Sequence, residues 1–447
     1  TRRYAPRSKT GCITCRIRHV KCDEARPACN RCTSTGRKCD GYPEPSETEC
    51  GKSTHRSLTV NLPALTALAN QPRLGTDREN RAQEFFQVQT ISQLTEVFRS
   101  ELWDRYVLQL ALSEPSIHYA KVALGAIHLS FSTGTPSISG EDELFALQQY
   151  NKAISRIVHP PKPLSPIVVL VACYMFSCFE TIRGNHEASF RHTASGLQLI
   201  STMVHNGAED EAIEKSLVQK FASLDLLAAV YDPGWVTYSV HYTPQTDNRG
   251  PFTSIEQAHY GLTALLQSIL RFKRLEGSQY GKDVLERKDT SAEREQLLAD
   301  LAQWSAAFEP FLNDMISTSA GEQTQAMQLL QIQQLAGHIH LSVTVWDEQM
   351  SYDKFLPLFQ KIVSLAEVLL SPSDVSSKPD KRKIKKFLYE HGVIPSLYLA
   401  GYKCRDPVVR RKAQRLLASA RRKEGVWESD VMAKVVEQII AIEEGGG

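Results

Sequence analysis

Six cysteines lie within 28 positions of a 447-residue chain: Cys12, Cys15, Cys22, Cys29, Cys32 and Cys39. The spacing is C-x2-C-x6-C, six residues, then C-x2-C-x6-C again. Two residues between thiols let one backbone turn offer both sulfurs to a single metal ion. Two tetrahedral zinc ions need eight ligand positions, and six thiolates supply eight only if two of them bridge. The duplicated triplet meets that count with pseudo-twofold symmetry, and Cys12 and Cys29 are the expected bridging pair. A disulfide framework suits a short secreted chain, whereas this one is long and no signal peptide is read ahead of the cysteines. Cys50, Cys173, Cys178 and Cys404 are scattered without ligand spacing, and the last three read as buried structural thiols.

The elements that must position these sulfurs are small. Residues 1–42 hold few large apolar side chains, chiefly Ile13, Ile17, Val20 and Tyr42, so a core of their own cannot fold them. Metal ligation has to supply the folding energy, on the order of 10 kcal/mol per structural zinc. Each C-x2-C is expected to open a short helix, one through Arg16 to His19 and one through Arg31 to Ser34, ended near Gly36. Pro27 turns the loop between the halves. The same 42 residues carry eleven Lys/Arg against three Asp/Glu, while the whole chain is only +2. A basic head on a mildly acidic body implies an anionic partner, most simply nucleic acid. A solvated basic tail would account for the charge but not for the cysteines. The chain begins at Thr1 rather than Met, so a short preceding piece is expected.

The cysteine segment resembles, over its whole length, the fungal Zn2Cys6 binuclear-cluster transcription factors. That resemblance implies a DNA-binding module whose first helix enters the major groove at its end and reads a CGG-type triplet. Arginine can grip guanine O6 and N7 with two donors, and lysine or protonated histidine can donate to the same edge. Arg18, His19 and Lys21 are the expected base contacts. The related factors usually carry lysine or arginine where this chain has His19, which leaves half-site preference open and makes pH-sensitive binding an expectation. Arg7, Lys9, Arg16, Arg31, Arg37 and Lys38 are read as phosphate contacts or solvated charge. The implied protein is a nuclear regulator of RNA polymerase II genes with two zinc ions per chain. Its implied partners are double-stranded DNA and co-regulator proteins, and either it binds DNA as a monomer or a second copy joins it through the body.

Residues 43–77 lack apolar periodicity at first and read as a flexible linker. Leu58, Leu62, Leu65 and Leu68 form a faint stripe that Pro63 interrupts, so no coiled-coil zipper is expected. From residue 78 to 447 the pattern is helical, giving a large all-α domain behind the small zinc-cluster domain with its two short helices. Ser113 reads as an N-cap with Pro115 in the first turn, and Ile117, Ala120, Leu124, Ile127 and Phe131 fall on one face. Asp406-Pro407 opens another helix, with Val409, Ala413, Leu416 and Leu417 inward and Gly425 beyond its end. Similar stripes run through 142–158, 167–183, 186–204, 211–230, 255–275, 291–316, 322–350, 355–370 and from Ser429 toward Glu444, with 232–253 as an irregular crossing. The longest apolar run, Ile167 to Phe179, is broken by Ser177 and reads as too short to span a membrane. The protein is expected to be soluble and to live where thiols stay reduced.

The body resembles the fungal-specific transcription factor domain that commonly follows this cluster. The resemblance rests on Ser113-Glu114-Pro115 leading into Ala123-Leu124-Gly125-Ala126, on Gly184-Asn185-His186-Glu187-Ala188, and on Lys403-Cys404-Arg405-Asp406-Pro407. Gly184 to Ile200 also looks like half a tetratricopeptide repeat, but no 34-residue period follows. No phosphate loop, dinucleotide fingerprint, nucleophile elbow or H-E-x-x-H is present, so no enzyme is read. His338 and His340 sit two apart and read as surface or core histidines rather than ligands. Trp103, Tyr106 and Leu110 read as core. The basic run Lys378 to Lys386 reads equally as a nuclear address and as an exposed helix start. A metal-responsive or scaffolding protein is the alternative reading. A scaffold has no reason to place Arg16, Arg18 and Lys21 around its second and third ligands, which favours the DNA-binding regulator.

Overall fold

The computed structural model describes residues 12–18, 20–41, 75–133, 140–205, 211–232, 234–235, 251–278, 289–318, 322–344, 346–371 and 385–445. The chain divides into two units, Thr1–Pro72 and Arg73–Gly447. The stripe at Leu58 to Leu68, Cys50, and the run from Lys378 to Lys383 all lie outside the described residues.

In the first unit, helix α1 spans Ile13–Ile17 and helix α2 spans Asn30–Thr33. Both begin earlier than expected, directly after the first cysteine of each triplet. The reason is that the sulfur serves as the helix cap: the Cys32 amide donates to Cys29 Sγ at 3.3 Å, and the Cys15 amide to Cys12 Sγ at 3.4 Å. A capping acceptor satisfies an amide that has no partner within the helix. Gly36 ends the second turn at φ +66°, a conformation glycine adopts without strain. The Arg26–Pro27 peptide in the joining loop is cis.

The second unit is built of helices stacked mainly on their chain neighbours. Pro115–Thr133 packs on Glu141–Val158 and on Pro166–Arg183, which in turn packs on His186–His205. Glu211–Tyr231, Ile255–Gly277, Ser291–Thr318, Glu322–Ser342 and Leu356–Leu370 continue the stack, and Ile394–Lys403, Pro407–Ala420 and Ser429–Glu444 close it. Trp103, Tyr174, Phe221, Trp304 and Phe359 are fully buried along its length. Asp406 caps its helix as expected, accepting from the Val408 and Val409 amides at 3.0 and 2.9 Å. Val409, Ala413 and Leu417 face inward and Leu416 is half-buried.

Several expectations need correction. Ser113 is not a cap: it ends the helix Val107–Ser113, and its hydroxyl donates back to the Leu110 carbonyl at 3.4 Å. Extended Glu114 separates the two helices instead, because Pro115 disfavours a helical residue before it. The stripe 322–350 is two elements, Glu322–Ser342 and a 3-10 segment Gln349–Phe355. The apolar run at Pro166–Arg183 reaches 18 residues with mean hydropathy 1.5, long enough to cross a membrane. It is a core helix here, with 72% of that stretch buried inside the protein. Ser177 does not break it, since its hydroxyl is hydrogen-bonded among Ser189, Thr193 and Tyr389. The body also holds a three-stranded sheet: β1 (Lys386–Leu388) runs parallel to β2 (Arg422–Glu424), which pairs antiparallel with β3 (Trp427–Glu428). Cys178 and Cys404 are buried as expected, Cys173 is half-buried, and Trp103 and Tyr106 lie in the core.

Candidate metal centre and DNA-binding face

Five of the six clustered thiols are buried and Cys39 is half-buried. Cys12 Sγ lies 3.5 Å from Cys29 Sγ and 3.8 Å from Cys32 Sγ; Cys15 Sγ lies 3.7 Å from each of the same two. All four sulfurs fall within 4.8 Å of one another. A disulfide needs about 2.05 Å, so these are not oxidised pairs. Sulfurs that share a zinc ion at about 2.3 Å sit about 3.8 Å apart, and these four contacts fall near that spacing. Cys22 and Cys39 join the group through backbone. The Cys12 amide donates to Cys22 Sγ at 3.4 Å, and the Cys29 amide to Cys39 Sγ at 3.5 Å. In these amide-to-sulfur bonds the two triplets repeat each other.

Burial pushes the Cys12 thiol up to about 12 and raises Cys15 and Cys29 as well. The amides of Cys29 and Gly41 hold Cys39 below the usual thiol value. Buried thiols this close would stay protonated by themselves, and a divalent cation reverses that preference by stabilising the thiolates. The donor set thus fits zinc.

The basic residues distribute unevenly. Lys21, Arg31, Arg37 and Lys38 are exposed. Arg18 lies just past the end of α1 and is half-buried, with its Nη1 shielded from solvent. Arg16 is in α1 by its backbone, and Arg7, Lys9 and His19 lie outside the described residues. In the body, His338 is half-buried with its ring edge on Phe355, and burial holds His340 down at about 4.

Three polar residues escaped the sequence reading. Asp23 accepts from the Asn30 and Arg31 amides at 3.0 and 3.1 Å, and those bonds hold its carboxyl below the usual range. Asp40 Oδ2 accepts from the Thr14 hydroxyl at 2.7 Å. The available signal is that an aspartate directly follows the last cysteine of each triplet, Cys22-Asp23 and Cys39-Asp40.

Comparison with known proteins agrees with this geometry. The fungal Zn(2)-Cys(6) binuclear cluster domain matches residues 10–49, and the fungal specific transcription factor domain matches residues 82–439. The aspercryptin biosynthesis cluster-specific transcription regulator atnN of Emericella nidulans is 27% identical, over 98% of this chain and 88% of its own. The transcription regulator lscL of Purpureocillium lilacinum is 28% identical over 42% of this chain and 48% of its own. The transcriptional regulatory protein moc3 of Schizosaccharomyces pombe is 62% identical over 37 residues, 8% of this chain and 7% of its own. No solved structure matches. With a six-cysteine module shaped for two zinc ions and a helical body matched over most of its length, the chain belongs to the fungal Zn2Cys6 transcription regulators, a family of DNA-binding proteins rather than enzymes.

Proposed function

We propose that the protein is a sequence-specific regulator of RNA polymerase II genes that acts in the nucleus and reads CGG-type triplets in the major groove through the end of α1. The observation that carries this reading is the placement of exposed Lys21 and half-buried Arg18 immediately beyond a helix whose other end is held by the sulfur cluster. Cys12, Cys15, Cys22, Cys29, Cys32 and Cys39 would hold two zinc ions, with Cys12 and Cys29 shared between them. When bound, the zinc ions supply the rigidity that residues 1–42 cannot obtain from a core. Arg18, His19 and Lys21 donate to base edges. Arg7, Lys9, Arg16, Arg31, Arg37 and Lys38 meet phosphates and set the salt dependence. Residues 43–77 tether this module to the body (78–447), which contacts co-regulator proteins and pairs with a second copy. The relative atnN is named for a biosynthesis cluster, which supports a biosynthetic gene cluster as the class of target.

Selection of bound duplexes from random DNA by the full chain tests this reading. A CGG-type triplet is expected in the selected pool. Lys21→Ala should then cost roughly 1–3 kcal/mol and relax base preference, while Lys38→Ala should weaken all duplexes alike. Identical behaviour of the two variants would refute the assignment of base readers.

A further inference from the structure

The two halves of the cysteine module are joined by a second set of bonds in which no sulfur takes part. The Thr14 hydroxyl donates to Asp40 Oδ2 at 2.7 Å and accepts from the Asp40 amide at 3.0 Å. The Lys38 carbonyl lies 3.3 Å from the same hydroxyl, and the Ile13 amide donates to the Gly41 carbonyl at 2.9 Å. These bonds tie α1 to the stretch that leaves the module after its last cysteine.

Metal ligation holds α1 at two points, Cys12 before its first residue and Cys15 within it. The Ile13 amide bond to the Gly41 carbonyl adds a backbone tie beside Cys12, and a helix of five residues held at these points keeps freedom to roll. Thr14 precedes Cys15 by one residue and so projects about 100° around the helix from it. Its bond to Asp40 is therefore a side-chain anchor from a different side, and it fixes the roll. The other half is built differently at the matching position. Counting from the first cysteine of each triplet, Thr14 corresponds to Arg31, and Asp40 to Asp23. Asp23 grips the backbone amides of Asn30 and Arg31, leaving the Arg31 side chain exposed. Among the described residues, α1 offers a side chain to its aspartate where α2 offers backbone amides, and α1 leads to Arg18 and Lys21.

We infer that Thr14 and Asp40 are positioning residues for DNA reading: their clasp sets the roll of α1 so that the side chains at its end meet base edges in register. The inference rests on the reading of α1 as the DNA-facing helix. A recognition group must be held within about 0.5 Å of its productive place, and a side chain beyond the end of a rolling helix is not.

The test uses the full chain and its variants Thr14→Val, which keeps the shape and removes the hydroxyl, and Thr14→Ser, which keeps the hydroxyl. Zinc per chain is measured first, then affinity for a duplex selected by the wild-type chain and for single-base alterations of it, across a salt series. Thr14→Val is expected to keep two zinc ions and the wild-type salt slope, and to lose about tenfold in the ratio of selected to altered duplex. Thr14→Ser should stay within about twofold of wild type. Wild-type discrimination by Thr14→Val would overturn the inference, as would an equal loss on every duplex. Loss of zinc from Thr14→Val would overturn it too, by making the bond part of folding rather than of aim. A wild-type chain that selects no sequence at all would instead overturn the reading of α1 itself.

Discussion

His128 offers a prediction whose size can be worked from the structure. The side chain is fully buried on the helix Pro115–Thr133. Its Nε2 lies 3.2 Å from Gln93 Oε1, an acceptor that also takes the Phe387 amide of β1 at 2.8 Å. Nε2 therefore carries the proton, and Nδ1 accepts from the Thr90 hydroxyl at 2.9 Å. A second proton would place a charge in this buried site, and burial lowers the pKa from 6.5 to about 4. Because the folded value is the lower one, the unfolded chain binds more protons between these values, and stability falls as pH drops from about 6.5 toward 4. Integrating between pH 7 and pH 5 gives a loss of about 2 kcal/mol from this one residue. For a body of about 370 residues with an unfolding entropy of about 2.1 cal/mol/K per residue, that is about 2 °C in Tm. Thermal unfolding followed by circular dichroism at pH 7 and pH 5, for the wild type and His128→Gln, measures the difference directly. The variant's Tm should fall by about 2 °C less than the wild type's over this interval, whatever its stability at pH 7. Equal falls in both proteins would refute the linkage.

Removing zinc with a chelator should abolish DNA binding while leaving the helical circular-dichroism signal and unfolding of the body in place, since the chain divides into two units and the sulfur cluster lies in the first. Cys12→Ala should lose both zinc ions by elemental analysis, as a bridging ligand serves two sites, whereas Cys22→Ala should retain one. Gly125→Ala should destabilise the body by about 3 kcal/mol in chemical unfolding, because a Cβ there would lie 2.1 Å from the Ala82 carbonyl oxygen and force two helices apart.

What was legible in the sequence was what short-range chemistry dictates. The C-x2-C spacing located the metal centre because two sulfurs on one turn are a local matter. Helix limits at Asp406-Pro407 and across Gly184-Asn185 were equally local: Gly184 ends one helix at φ +82°, and Asn185 Oδ1 accepts the Ala188 amide that opens the next. The sheet was invisible because Lys386–Leu388 pairs with a strand more than thirty residues later, and three residues are too few for alternation to register. The π-helical turns Phe86–Thr90 and Leu102–Tyr106 leave no periodic mark either, as each adds one residue to an otherwise helical run. The clasp between Thr14 and Asp40 spans 26 positions and joins two common residue types. Only the repetition of aspartate after cysteine hinted at it.

The amide bonds onto the sulfurs have an effect on how such a module can diverge. Main-chain N–H groups of Cys12, Cys15, Cys29 and Cys32 each donate to a ligand sulfur, which disperses part of the charge that six thiolates bring. Peptide groups do this whatever side chain they carry. The intervening positions are thereby released from balancing the centre, and their side chains can change without loosening the hold on metal.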